Sequence, residues 1–466
     1  MEIPRQPAKQ RRNNFGEVAL GYDLAMARLE ACRCLQCKKL PCVKGCPVGI
    51  DIPGFIKAIA DEDMPSAVRI LKQANVLPGI CGRVCPQETQ CEQLCVLNKN
   101  GNAIAIGRLE RFTADWESRH RQSVPRLQTA GHTGKTVAVI GAGPAGLTAA
   151  ADLARMGHVV TIFESLHTSG GVLKYGIPDF RLPSEIVQEE VDSIQKMGVG
   201  IQFNTPIGKT ETVDELLEQF DAVFLGTGAG LPIFMNIPGE NLSGVYSANE
   251  FLTRVNLMHA YQFPDYHTPV QKGKNVAVVG GGNVAMDAAR SALRLGAERV
   301  IVIYRRSRNE MPARHEEIEN AVEEGIEFMF LANPVEFKGD EKRKLKSVEC
   351  IRMELGEADS SGRRRPVPIP GSQFEVQADI AIVALGTNPN PLISRTTPDL
   401  ETNKWGTLIC DESTGRTTKP RVWAGGDVVT GSATVISAMG AARRAAADIN
   451  AYLISGDRDW ANPSEN

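Results

Sequence analysis

Lys135-Thr-Val-Ala-Val-Ile-Gly-Ala-Gly-Pro-Ala-Gly146 and Lys274-Asn-Val-Ala-Val-Val-Gly-Gly-Gly-Asn-Val-Ala285 are two copies of one pattern. In each, a run of Val, Ile and Ala reads as a buried parallel strand, glycines make a turn, and an apolar helix follows. The copies stay in register through Arg155-Met-Gly157 and Arg294-Leu-Gly296, so a whole strand–turn–helix unit is duplicated. Gly141 permits the tight turn, Gly143 lets the backbone approach a pyrophosphate, and Gly146 lets helix and strand pack closely. The helix start then offers unpaired N–H groups to the phosphates. Gly280 and Gly282 repeat the first two roles, and Ala285 replaces the third glycine, an accepted variation. The expected fold is α/β, with two Rossmann-like domains.

The units differ where their second strands end. Val159-Val-Thr-Ile-Phe-Glu164 closes on an acid, suited to a ribose hydroxyl. Arg299-Val-Ile-Val-Ile-Tyr304 closes without one, and Arg305 and Arg306 follow. A carboxylate repels a 2′-phosphate, whereas guanidinium groups grip it in bidentate fashion, so the second unit is expected to prefer NADPH. An arginine pair after a strand is also an ordinary surface feature. Near the carboxy end, Val422-Trp-Ala-Gly-Gly426-Asp427 runs a strand into an acidic turn, and Thr434-Val435 opens a helix. An acid there suits a ribityl hydroxyl, with the helix terminus facing a flavin ring; Gly171 joins the same set. These features place FAD in the first unit.

Ala222-Val-Phe-Leu-Gly-Thr-Gly228 and Ala381-Ile-Val-Ala-Leu-Gly-Thr387 echo one another as buried strands suited to carrying the chain between domains. The expected division is FAD-binding over 135–271 and 381–466, with an NADPH-binding domain inserted over 272–380. The charged runs Glu341-Lys-Arg-Lys-Leu-Lys and Arg363-Arg-Arg365 read as solvated turns.

Upstream lie two cysteine groups, C-x2-C-x4-C-x3-C-P over Cys34, Cys37, Cys42 and Cys46, and C-x3-C-x5-C-x3-C over Cys81, Cys85, Cys91 and Cys95. Residues 15–31, a stretch from Ile52 and another from Pro65 to Gln73 read as helices, so 1–116 is expected to be a helical domain and 117–134 a linker. Thiolates hold 4Fe–4S clusters, and in two-cluster ferredoxins the cysteine before proline serves the other cluster, which points Cys46 across to the second group. Zinc also accepts four thiolates. A flavin neighbour gives zinc nothing to do but needs a one-electron outlet. Cys32 and Cys81 leave the ligand count open and are expected to pack as small buried residues.

At 466 residues the chain exceeds one core, and its net charge of −3 argues against a nucleic-acid surface. No apolar run approaches the roughly 20 residues that span a bilayer. Nine of the 11 cysteines fall between Cys32 and Cys95, which in a reducing cytoplasm favours metal over disulfides. A disulfide reductase needs C-x-x-C beside its flavin, and only Cys350 and Cys410 lie in those domains.

The motifs Arg33-Cys-Leu-Gln-Cys37, Cys81-Gly-Arg-Val-Cys-Pro-Gln87, Ala105-Ile-Gly-Arg-Leu-Glu-Arg111, Tyr175-Gly-Ile-Pro178, Tyr304-Arg-Arg306 with Met311-Pro312, and Ala424-Gly-Gly-Asp427 together resemble the small (beta) subunit of NADPH-dependent glutamate synthase. The amino-terminal part also resembles that of dihydropyrimidine dehydrogenase and of the large subunit of NADH-dependent ferredoxin:NADP oxidoreductase, or sulfide dehydrogenase. The resemblance implies electron flow from NADPH to FAD, through two 4Fe–4S clusters, to a partner in a hetero-oligomer. It implies that one cluster has a non-cysteine ligand, matching Glu110. One cluster would then use Cys34, Cys37, Cys42 and Cys95, and the other Cys46, Cys85, Cys91 and Glu110. The bland reading of Glu110 is a helix-face salt bridge. Neither an amidotransferase nucleophile nor an FMN barrel, typically about 250 residues, is present, so glutamate synthesis is expected on a large partner subunit. The alternative partner is a flavin and 2Fe–2S subunit of a bifurcating transhydrogenase, with ferredoxin.

Overall fold

The computed structural model of the chain describes residues 2–120, 129–358, 362–456 and 459–460. Part of the expected linker, residues 121–128, lies outside the described residues. The helix Ile106–Arg119 runs into its beginning.

The amino-terminal part is helical, as its local chemistry dictates. Asp23, Asp51 and Asp63 each accept a hydrogen bond from a first-turn N–H, starting the helices Leu24–Ala31, Ile52–Ala60 and Met64–Ala74. Pro53, Pro65 and Pro78 occupy first turns, where no N–H is needed. The single helix expected over 15–31 is a correction: it starts only at Leu24. Gly21 sits at φ +83°, and the N–H groups of Gln6 and Leu20 pair with the carbonyls of Val18 and Pro4. That local ladder competes with helix formation.

Two five-stranded parallel sheets follow, with equivalent strand orders. The first runs Val422–Ala424, Ala222–Leu225, Thr136–Ile140, Val159–Phe163, Gly200–Gln202. The second runs Val245–Ser247, Ile380–Val383, Asn275–Val279, Arg299–Tyr304, Glu327–Phe330. The glycine-rich strand is central in each. Ile380–Val383 therefore pairs inside the second sheet, although the sequence reading places Ala381 onward in the first unit; Val245–Ser247 lies there as well. Buried parallel strands are uniformly apolar, so hydrophobicity does not reveal which sheet claims them. The echo between 222–228 and 381–387 marks equivalent strands of the duplicated units. The chain crosses between the units at a small antiparallel ladder, Leu231–Pro232 against Thr387–Asn388.

The expected charged turns belong to a further antiparallel sheet built from Ala332–Gly339, Leu345–Ala358, Arg364–Pro368 and Phe374–Gln377. Residues 340–344 are its hairpin turn, whereas Arg364 and Arg365 are in a strand. Many of its side chains face solvent, which gives its strands the polarity of loops.

The long helix Val435–Ser455 lies along Pro144–Arg155 against the first sheet. Ala145, Ala149, Ala150, Ala438, Ala442, Ala445 and Ala446 are buried in that core, and their small side chains allow the close approach. A buried charge network joins the amino-terminal arm to the second unit. Glu324, fully buried, accepts from Arg11 (3.0 Å), Arg290 (2.7 Å) and Arg294 (2.7 Å). The Arg294 and Arg290 guanidinium groups hold its carboxyl down at about 2 despite burial. Arg290 and Arg294 also lie 4.6 and 4.0 Å from the ring centroid of Phe180, a residue of the first unit.

Candidate functional site

Both glycine turns are closed by the strand end beside them. A methyl group on Gly141 would stand 2.6 Å from the Gly226 carbonyl, and one on Gly280 would stand 2.4 Å from that of Ala384. Gly141 and Gly280 also adopt φ of +100° and +143°. On Gly146 a methyl would meet the Gly141 carbonyl at 1.8 Å, which fixes glycine there by helix–strand packing. On Gly143 it would meet no protein atom within 4 Å, so packing within the protein does not demand glycine there. Gly143 and Gly282 precede the helices Pro144–Arg155 and Asn283–Arg294, whose first N–H groups face the turn. Gly171, at φ +53°, stacks its backbone on Gly143, where a methyl would meet Cα at 3.2 Å. Ala285 is fully buried.

Glu164 has a second task besides the expected ribose contact. Its Oε2 accepts from the Ala142 N–H (2.7 Å) and its Oε1 from the Leu166 N–H (2.8 Å), bracing the turn. Gly426, at φ +79°, turns the strand Val422–Ala424 into Asp427. Burial pushes the Asp427 carboxyl up to about 6, although it accepts from the Ala433 N–H. Burial raises the Tyr175 hydroxyl to about 12, and the charges of Asp427 and Glu164 add to the rise. Thr434 caps the helix Val435–Ser455 by accepting from the Ser437 N–H at 3.2 Å, placing Val435 in its first turn. These groups are of the kind that would hold a dinucleotide, with the helix N–H groups available to its phosphates.

The two arginines expected to serve as a pair differ in environment. Arg305 is exposed. Arg306 is 7% exposed and donates from Nε to the Arg364 carbonyl at 2.7 Å. The added antiparallel sheet turns one of the two inward.

The cysteines gather in two sets. Cys34, Cys37, Cys42 and Cys95 line one cavity with Leu35 and Val96. Burial pushes the Cys42 thiol up to about 11, and Cys34 and Cys95 add to it. Burial likewise raises Cys34, with Cys37 and Cys95 contributing. The other set is deeper. Burial raises the thiols of Cys46 and Cys91, and Glu110 acts on both. Cys85 is raised by its hydrogen bond with Cys81, then by burial and by Glu110 and Cys91. Burial drives the Glu110 carboxyl up to about 8. Burying this many potential anions together is costly unless a cationic group arrives, and a metal cluster supplies that charge. Among the described residues no three His, Cys, Asp or Glu side chains are grouped as a single-ion site.

Asn75 and Arg314 carried no sequence signal, and the two extra cysteines part ways. Asn75, fully buried, donates to Glu110 Oε1 at 2.6 Å and accepts from the Leu77 N–H. Cys81 is buried as expected, with Sγ 3.5 Å from Met439 Sδ in the Thr434-capped helix. Cys32, expected to be buried, is exposed, because it follows the last turn of Leu24–Ala31 on its solvent side. Arg314 donates to the Arg83 carbonyl at 2.7 Å, and its own N–H donates to Asn283, the first residue of the second glycine-turn helix.

Residues 11–122 match the family dihydropyrimidine dehydrogenase domain II, 4Fe-4S cluster, and residues 135–445 match pyridine nucleotide-disulphide oxidoreductase. The Escherichia coli glutamate synthase [NADPH] small chain is 36% identical over 460 residues, covering 97% of each chain. The chain belongs to the glutamate synthase small-chain family. As a member it is an NADPH-dependent oxidoreductase that uses FAD and 4Fe–4S clusters. Family membership does not fix a partner: the NADP(+)-dependent formate dehydrogenase subunit beta of Moorella thermoacetica is 43% identical over 438 residues. That match takes in 89% of this chain, which spans 60% of the relative's length. Among solved structures, Mycobacterium tuberculosis FprA in complex with NADPH superposes with a TM-score of 0.58 at 21% identity, over 70% of this chain and 87% of that one. It shares the two-unit fold.

Proposed function

We propose that this chain is the electron-input subunit of a glutamate synthase: it accepts hydride from NADPH and passes single electrons to a large partner subunit that makes glutamate from glutamine and 2-oxoglutarate. FAD, when bound, converts the two-electron input into single electrons. Glu164, Asp427 and the turn at Gly141, Gly143 and Gly146 hold the flavin nucleotide, while the turn at Gly280 and Gly282 and Arg305 hold NADPH. Cys46, Cys85, Cys91 and Glu110 make an inner cluster site; Cys34, Cys37, Cys42 and Cys95 make an outer one. No side chain is assigned a proton, because hydride transfer between cofactors needs none.

The observation that carries this reading is the junction at the head of the Thr434-capped helix. Met439 meets Cys81 at 3.5 Å, and Gly440 lies so close to Pro47 that a methyl would stand 2.7 Å from its carbonyl. The helix that faces the flavin therefore abuts the residues flanking Cys46 and Cys85. In this reading the junction gives electrons a short path from the flavin side to the cysteine domain. Cluster-bearing cysteines of this kind belong in a reducing cytoplasm.

The test is anaerobic purification of the chain with its partners, counting iron and flavin on every polypeptide and assaying glutamine-dependent glutamate formation. A large amidotransferase partner supports the reading; its absence together with no glutamate formation refutes it. The 43% identity to a formate dehydrogenase subunit favours a second reading, in which the same module serves another oxidoreductase. A smaller flavin and 2Fe–2S partner, with ferredoxin, would point there.

A further inference from the structure

Arg314 stands where the second glycine turn meets the cysteine domain. The Ala313 N–H donates to the Gly281 carbonyl at 3.2 Å and the Arg314 N–H to Asn283 Oδ1 at 3.0 Å. A methyl on Gly282 would lie 4.0 Å from Pro312 Cγ. None of these contacts uses the Arg314 side chain, so none of them explains an arginine at this position.

The side chain leaves the second unit and grips the loop around Cys85. One terminal nitrogen donates to the Arg83 carbonyl at 2.7 Å, two positions before that cysteine, and the other to Gln87 Oε1 at 3.3 Å, two positions after it. Gln87, itself buried, donates from Nε2 to the Cys81 carbonyl at 3.2 Å. It also packs on the helix that carries Glu110, where a methyl on Gly107 would stand 2.2 Å from Gln87 Nε2. One guanidinium thus braces the segments that bear Cys85 and Glu110.

It is also a cation set inward. Its side chain is 10% exposed, against 28% for each of its ion-pair partners, Glu88 at 3.8 Å and Glu316 at 3.2 Å. Burial works against its charge, yet Glu316, Glu88, Glu317 and Cys85 together hold it protonated. Its buried Nε has no hydrogen-bond partner among the described residues, which leaves one donor of the fork uncommitted. A cluster held by three thiolates and a carboxylate is an anion, and it gains a further negative charge on reduction. A cation fixed beside one of its ligands in a poorly screened interior favours the reduced form.

We infer that Arg314 is a positioning residue for the inner cluster site: its guanidinium holds the loop around Cys85 and raises the reduction potential there, favouring electron transfer from the reduced flavin. The inference rests on the two-cluster reading above and adds what sets the potential of one site. One electron arrives from the flavin, no bond is made or broken, and Arg314 keeps its proton throughout.

The experiment is a redox titration of the full chain, loaded with FAD and iron–sulfur clusters and followed by electron paramagnetic resonance. The inner signal is the one missing from Cys46→Ala, and the outer the one missing from Cys42→Ala. Arg314→Gln keeps a donor and loses the charge. It should lower the one-electron reduction equilibrium of the inner site by about tenfold, a shift of about 59 mV to more negative potential. The outer site, which Arg314 does not contact, should stay within about threefold of the parent. Arg314→Lys keeps the charge and loses the fork, and should hold the inner equilibrium within about threefold of the parent. An inner potential unmoved in Arg314→Gln, or both sites moved alike, would overturn the inference. Equal shifts in both Arg314 variants, or loss of the inner signal from both, would also overturn it, because the residue would then be a clamp whose charge is immaterial. Loss of the inner signal from Arg314→Gln alone, with Arg314→Lys at the parental potential, supports it. A parent without iron, or one whose Cys46→Ala and Cys42→Ala forms lose the same signal, refutes the two-cluster reading itself and the inference with it, and those measurements need no Arg314 variant.

Discussion

The side-chain amide of Asn75 donates to Glu110 Oε1 at 2.6 Å, and both residues are buried. The bond holds one oxygen of the carboxylate, and in the proposed ligand set the other would serve the inner cluster. Asn75→Ala should therefore strip the inner cluster while leaving the outer one, with about half the iron lost and FAD retained. Asn75→Asp should be worse than alanine, because it sets a second carboxylate beside Glu110. Iron analysis and electron paramagnetic resonance of the reduced protein would read both outcomes. Full iron content in both variants would remove Asn75 from the cluster's support.

The two cysteines Cys42 and Cys46 lie four positions apart yet are assigned to different clusters. Cys42→Ala should abolish the signal of the outer cluster and Cys46→Ala that of the inner, each with FAD still bound. If both variants lose the same signal, the crossed assignment is wrong.

Arg305 and Arg306 should separate cleanly. Arg305→Ala is expected to raise KM for NADPH by roughly 10- to 100-fold with little change for NADH, the size of a lost charge-assisted bond to phosphate. Arg306→Ala removes a buried donor from the Arg364 carbonyl, so it should lower thermal stability and affect both nucleotides alike. Steady-state kinetics with both coenzymes and a melting curve distinguish the two.

Glu190, fully interior to the contact between the first unit and the cysteine domain, accepts from the Gly79 N–H at 2.8 Å, and burial pushes its carboxyl up to about 7. A raised acid favours folding while it is protonated. Its contribution is complete below the ordinary glutamate range and lost as pH climbs through about 7, on the order of 3 kcal/mol. Glu190→Gln keeps an acceptor for Gly79 and removes the titration. The variant should gain stability over the parent at pH 8 and lose that advantage at pH 4.5, as measured by urea midpoints at each pH. A parallel pair of curves would assign the pH dependence elsewhere.

Much of this architecture is written in short-range pattern. The glycines at 141, 143, 146, 280 and 282 announce both nucleotide turns, and Asp23, Asp51 and Asp63 announce helix starts, because each residue type answers a local backbone demand. What depends on distant partners is silent. Asn75 meets Glu110 across 35 positions, and Cys81 meets Met439 across 358, with no periodicity linking either pair. The strand Ile380–Val383 has the same apolar run whichever sheet it joins. Arg306 looks as free as Arg305 until a strand 58 positions later covers it. Glu110 itself became visible through family resemblance rather than through spacing.

The arginine cage around Glu324 bears on how the two units hold together. Arg11 reaches it from the leading arm, Arg290 and Arg294 from the second unit, and Phe180 of the first unit roofs two of those cations. Swinging the second unit away from the first would pull the aromatic roof off Arg290 and Arg294 and open the cage to water. The contacts of Phe180 with Arg290 and Arg294 therefore oppose separation of the two units, by about 1 kcal/mol for each cation–π pair.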